Sequence, residues 1–173
     1  MYQRILVPVD GSSTSNRGLD EAIRIARLTQ GQLRLIHVID ELSFALAMDA
    51  YSGYAGDWLG VLRENGGNIL STAKATARAA GVEAETVLYD KFSSKVHECV
   101  GAEAARWPAD LIVLGTHGRR GVGRLFMGSS AENIVRCATV PVLLVREPNA
   151  EAQTEAAPER AHVSLPSAAL RFE

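Results

Sequence analysis

Between residues 4 and 145, short apolar runs alternate with longer segments of helical period, and this alternation restricts the chain to one kind of sheet. The runs are RILVPV (4–9), LRLIHVI (33–39), the alternating VEAETVLY (82–89), ADLIVL (109–114) and PVLLV (141–145). Each has strand length, and the fourth is apolar and β-branched in the manner of a strand buried on both faces. Leu19, Ala22, Ile23 and Ala26 recur at helical spacing between the first two runs, with Ser13 or Thr14 as cap and Gly31 as terminator. Leu59, Leu62, Ile69, Leu70, Ala73 and Ala77 keep helical phase up to Gly81. Gly66-Gly67 inside that stretch weaken it by about 2 kcal/mol relative to alanines and mark a bend. Val96, Val100 and Ala104 share a face of a third helix, from about Ser94 to Arg106, which Trp107-Pro108 ends. Ser129 to Cys137 reads as a fourth. Connections this long carry crossover helices, so the strands run parallel. The expected fold is α/β: an open, doubly wound five-stranded parallel sheet with helices on both faces.

Residues 115–130, GTHGRRGVGRLFMGSS, lie between the fourth strand and the fourth helix. Gly115, Gly118, Gly121, Gly123 and Gly128 let another molecule approach the backbone, and Gly128-Ser129-Ser130 stands where helix N–H groups lack intrahelical partners and the dipole favours an anion. Arg119, Arg120 and Arg124 add guanidinium forks suited to phosphate oxygens. The loop chemistry fits a phosphate site and equally a glycine-rich surface loop with an ordinary cap. Asp10, at the carboxyl end of the first strand, is placed where open α/β sheets bind ligands; on position alone it could also be a turn or capping residue.

The spacing Gly115, two residues, Gly118, nine residues, Gly128-Ser129 resembles the nucleotide-binding signature of the universal stress protein family, in its ATP-binding branch. The resemblance covers the chain up to about Arg146 and implies strand order 3-2-1-4-5, with Asp10 and the glycine loop flanking the switch point between strands one and four. It implies that Asp10 lies by the ribose and adenine, that Pro8 and Val9 offer backbone, and that the Val38 main chain meets the adenine edge. Leu114, Gly115, His117, Gly118 and Arg119 on one side of the loop, and Gly128, Ser129, Ser130 and Ala131 on the other, complete the nucleotide-binding set. The implied ligands are ATP and Mg²⁺, the ion held through the phosphates. The resemblance also implies a homodimer through antiparallel pairing of the fifth strand, an apolar sheet edge of the kind that tends to pair.

Other chemistries find less support. No Gly-Lys pair occurs, so a lysine phosphate clamp of the P-loop type is absent. No dedicated acidic metal pair and no base at a recognisable spacing from Ser129 or Ser130 is visible, which disfavours an enzyme beyond weak ATP hydrolysis. Net charge is −2, with 18 Lys and Arg against 20 Asp and Glu, so nothing favours nucleic acid or an anionic membrane. His37 reads as a half-buried strand histidine. Cys99 and Cys137 show no ligand or redox spacing and read as buried reduced thiols. With no apolar run near 18 residues and an N-terminus that enters a strand directly, a cytoplasmic protein is expected. Residues 40–56 read as a long loop or lid whose Phe44, Leu46 and Met48 could cover a ligand or partner. The chain divides into a nucleotide-binding domain, 1–146, and an Ala-, Glu- and Pro-rich tail, 147–173, which is acidic and too poor in apolar residues to order itself fully.

Overall fold

The structure is a computed structural model, and it describes residues 2–40, 57–90, 95–116 and 128–146. The elements in order are β1 (Arg4–Pro8), α1 (Ser13–Thr29), β2 (Gln32–Val38), α2 (Trp58–Ala79), β3 (Ala84–Tyr89), α3 (Val96–Arg106), β4 (Leu111–Gly115), α4 (Ser129–Cys137) and β5 (Val142–Val145). The five strands form one parallel sheet in the order β3-β2-β1-β4-β5, the order implied by the resemblance. The 40–56 lid apart from Asp40, the centre of the glycine loop and the tail fall outside the described residues.

Side-chain alternation along the strands divides the core in two. Ile5, Val7, Val9, Leu33, Leu35 and Val113 pack under α1 and α2, against Leu19, Ala22, Ile23, Leu70 and Ala73. Leu6, Ile36, Ile112 and Leu114 point the other way, against Cys99, Val100 and Ala104 of α3 and Ala131 and Ile134 of α4. A central strand buried on both faces cannot alternate with polar residues, which is why β1 and β4 read as continuous apolar runs.

Several local expectations are corrected. The α1 cap is Ser12, whose hydroxyl accepts from Ser15 N at 3.2 Å, rather than Ser13 or Thr14. Gln30, not Gly31, takes the left-handed position that ends the helix (φ 55°). Gly31 is needed for space instead, since an added Cβ would stand 2.8 Å from the Tyr2 carbonyl oxygen. Helix α2 runs without a break through Gly66-Gly67. Gly66 lies on the sheet, where a Cβ would be 2.8 Å from Leu88 Cδ1 and 2.9 Å from His37 Cδ2, so the glycine admits close packing. Cys99 is buried, but Cys137, the last residue of α4, is exposed where the chain leaves for β5.

Helix α3 is fastened to the sheet by a buried carboxylate. Glu103 is fully buried and receives Arg34 Nη1 at 2.7 Å, the Tyr89 hydroxyl at 2.7 Å and Arg106 Nη2 at 3.0 Å. Arg34 also pairs with Glu85 and stacks over Trp107, 4.7 Å from the ring centroid. Burial alone would raise the Glu103 pKa; the hydrogen bonds from Tyr89, Arg34 and Arg106 outweigh it and hold the carboxyl below its ordinary value.

Candidate functional site

Main-chain phase at the centre of the sheet determines where it can open. Gln32 N donates to Gln3 O and Val9 N to Ile36 O, so odd residues of β1 and even residues of β2 face each other. Leu33 N donates to Glu83 O and Ile39 N to Tyr89 O, so odd residues of β2 face β3. Even residues of β1 therefore face β4, as the bond from Asp110 N to Arg4 O confirms.

This phase puts Pro8 on the β4 side, where it has no N–H to give. The β1–β4 register accordingly consists of Ile5–Leu111 and Leu6–Ile112 and stops there. On the other side the β1–β2 register stops at Pro8–Ile36. The next oxygen, Val9 O, lies 2.7 Å from His37 Nδ1. A carbonyl only accepts, so that ring nitrogen carries the proton. His37 is fully buried rather than half-buried, at 4% exposure. At its carboxyl end β1 is thus released on both sides, at the strand where the sheet order reverses. A ligand crevice belongs at such a point.

Asp10 begins the turn out of β1 and is half-buried. Its Oδ1 accepts from Ser12 N at 2.9 Å, and its own N–H donates to Ser15 Oγ at 3.1 Å. Gly11 is left-handed (φ 80°), a conformation few side chains allow, and it turns the chain directly into α1. The first turn of α1 then rests on the end of β4: a Cβ on Gly115 would lie 2.5 Å from Thr14 O, and one on Gly18 would lie 3.1 Å from Gly115 N. Gly115 therefore has a packing reason independent of any ligand.

Thr116, buried, donates its N–H to Val145 O at 3.0 Å and accepts from Gly128 N at 2.9 Å. Thr116 just beyond β4 and Gly128 at the start of α4 are thus joined, so α4 begins at the carboxyl end of the sheet. Gly128 is the N-cap of α4 (φ −59°, ψ 143°) and supplies no side-chain cap. Ser129 and Ser130 are exposed in the first turn, and Ala131 is buried. Ser129 is hence a first-turn residue and not the cap.

The structure brings Pro8, Val9, Asp10, Val38, Leu114, Gly115, Gly128, Ser129, Ser130 and Ala131 to the carboxyl end of the sheet or the helix start above it. His117, Gly118 and Arg119 lie outside the described residues. A groove of about 600 Å³ at the other end of the strands, bordered by Arg4, Arg27, Gln30, Gly81 and Glu83, receives the carbonyl ends of α1 and α2, the wrong polarity for phosphate. Among the described residues no group of three or more His, Cys, Asp or Glu side chains could hold a metal, and no helix is long and apolar enough to cross a membrane.

Residues 1–146 match the model of the universal stress protein family. Universal stress protein MJ0531 of Methanocaldococcus jannaschii is 33% identical over 154 residues, 87% of this chain and 86% of its own length. Among solved structures, the hypothetical protein MJ0577 superimposes with a TM-score of 0.71 at 26% identity, covering 86% of this chain and 99% of that one. A universal stress protein in complex with cAMP superimposes with a TM-score of 0.57 at 26% identity, covering 84% and 97%.

Proposed function

Because the chain belongs to the universal stress protein family, we propose that it binds an adenine nucleotide, ATP with Mg²⁺, in the crevice at the carboxyl end of β1 and acts as a regulatory protein of the stress response. The observation that carries this reading is the release of β1 on both sides, by Pro8 and at Val9 O, beside a helix start clamped to the end of β4. In this reading Pro8, Val9, Asp10 and Val38 hold the nucleoside end. The triphosphate lies over the start of α4, at Gly128, Ser129 and Ser130, and His117, Gly118 and Arg119 are the loop residues of the same binding set. Leu114 and Ala131 wall the site, and Gly115 sets the end of β4 against α1. An exposed helix start fits phosphate oxygens without needing lysine. Mg²⁺ enters on the phosphates, where it neutralises charge that the helix dipole alone offsets only in part. The cAMP held by a related protein supports an adenine ligand of this size.

The same reading makes the protein a homodimer paired through β5, whose residues are all half-buried in the single chain, and places it in the cytoplasm. Residues 1–146 form its nucleotide-binding domain, and 147–173 an appended acidic tail.

Thermal unfolding with ATP, ADP, AMP and cyclic AMP, each with Mg²⁺, tests the proposal. Nucleotide at 100 times its Kd stabilises a fold by about 2.7 kcal/mol when only the native state binds, a visible rise in Tm. No rise and no calorimetric heat with any of the four would refute nucleotide binding.

A further inference from the structure

The buried histidine beside the crevice has no part in the reading so far. His37 lies on the α1 and α2 side of the sheet, its ring beneath Gly66, and it occupies the oxygen at which the β1–β2 ladder would continue. In the phase established above, Val38 is an even residue of β2, and its N–H points toward β1. Its ladder partner would be Val9 O, yet the register ends one step earlier, at Pro8–Ile36. On the β3 side, Ile39 N is satisfied by Tyr89 O, so β2 itself remains extended through this point.

We infer that His37 is a positioning residue for the nucleoside end of the crevice: by donating from Nδ1 to Val9 O it ends the ladder early and leaves the Val38 N–H facing the crevice, as a donor to a ring nitrogen of the bound base. The inference rests on the nucleotide reading for its ligand, but not for its geometry. A strand that merely frayed would lose both its donor and its acceptor to solvent. Here the acceptor is satisfied from within the core by a side chain, and only the donor is released. Gly66 is part of the device, because a Cβ there would stand 2.9 Å from His37 Cδ2 and displace the ring.

The test uses the full chain as wild type, His37→Asn and His37→Leu. Asparagine keeps an N–H donor at the δ position; leucine removes it. His37→Phe, which refills the ring volume without a δ donor, replaces leucine if that variant does not fold. The first readout is amide hydrogen exchange at Val38 in nucleotide-free protein, followed by NMR. Val38 should exchange faster than Ile36 and Ile39 in wild type and His37→Asn, and should become protected in His37→Leu as its N–H closes onto Val9 O. Equal protection of Val38 in all three would overturn the inference.

The second readout compares adenosine with inorganic triphosphate. His37→Leu should weaken adenosine about tenfold, the order of one hydrogen bond, and leave triphosphate within about twofold, with His37→Asn restoring adenosine. Equal losses for both ligands would overturn the positioning role. If wild type binds neither ligand, the nucleotide reading fails, and the exchange measurement still decides whether His37 holds the ladder open.

Discussion

The main chain of Gly115 lies against the Thr14 carbonyl so closely that a Cβ on Gly115 would stand 2.5 Å from that oxygen and 3.0 Å from Ser15 N. Backbone cannot yield as the tip of a side chain can, so α1 would have to lift from β4. Gly115→Ala should therefore destabilise the ligand-free protein by about 1–3 kcal/mol, the usual penalty for overpacking. Chemical denaturation without nucleotide measures this directly. An unchanged midpoint would mean that Gly115 serves only a ligand.

Gly128 should behave in the opposite way. Its φ of −59° suits any side chain, so Gly128→Val should cost the ligand-free fold only about 1 kcal/mol through its poorer capping, while placing a branched side chain where backbone meets phosphate. The nucleotide-induced rise in Tm should vanish. Ser129→Ala should be milder, since Gly128 occupies the cap position and only a hydroxyl donor is lost. Asp10→Ala should weaken ATP yet spare inorganic triphosphate. Isothermal titration of the three variants against both ligands would expose any wrong assignment, above all a Gly128→Val protein that still binds ATP.

The parallel sheet could be read from the sequence because its signals are local: strand-length apolar runs, helical spacing between them, and connections too long for hairpins. The strand order came from the resemblance, since periodicity does not say which edge receives a strand. Ligand-contact candidates were legible as glycines and Asp10, but the reasons for the glycines were not. Gly31, Gly66 and Gly115 are there for close approach, and close approach depends on which element lies overhead. The role of His37 was missed for a related reason. Its bond to Val9 O joins β2 to the residue just beyond β1, and only the phase of the ladder shows that this oxygen would otherwise have accepted from Val38. The signal that could have found it is a histidine at an inward position of a strand, where a buried ring N–H must find an acceptor.

Within α2 the two adjacent glycines should part company. A Cβ on Gly67 meets nothing within 4 Å, so Gly67→Ala should stabilise the protein by about 1 kcal/mol, the helix-propensity difference. Gly66→Ala gains the same propensity but drives a methyl into Leu88 and His37, so the gain should be cancelled or reversed. Paired thermal melts decide it, and equal stabilisation by both would show that α2 does not lie as close to β2 as described.

The Glu103 cluster should make stability depend on acid. Burial raises the carboxyl pKa, the bonds from Tyr89, Arg34 and Arg106 lower it further than burial raises it, and the net value lies below the ordinary 4.5. A depressed folded value means that the stabilisation is fully present above the unfolded value and is lost as pH falls through the folded one. Glu103→Ala at neutral pH, which takes the shared acceptor from Tyr89 and Arg106 and leaves Arg34 only Glu85, should cost about 3 kcal/mol. Urea midpoints of wild type and Glu103→Gln should differ most near pH 7 and converge below about pH 4.5; a gap that widens toward acid would show that the sign is wrong.

The proposed dimer can be tested through the phase of β5. Ile112 N donates to Pro141 O and Thr116 N to Val145 O, so odd residues of β5 bond to β4 and even residues turn their main chain outward. Leu144 thus presents its N–H at the free edge, while Leu143 uses its own within the sheet. Leu144→Pro removes an outward donor that the folded monomer does not need, and prolines are tolerated at such edge positions. Leu143→Pro removes a ladder bond and should unfold the edge. Light scattering should therefore show wild type as a dimer and Leu144→Pro as a monomer with retained circular dichroism, whereas Leu143→Pro should lose structure. The ring at 144 also replaces a half-buried side chain packed on the α3 and α4 side of the core, so a modest fall in Tm is expected. A Leu144→Pro protein that stays folded and dimeric would exclude main-chain pairing at β5 and move the interface to another surface.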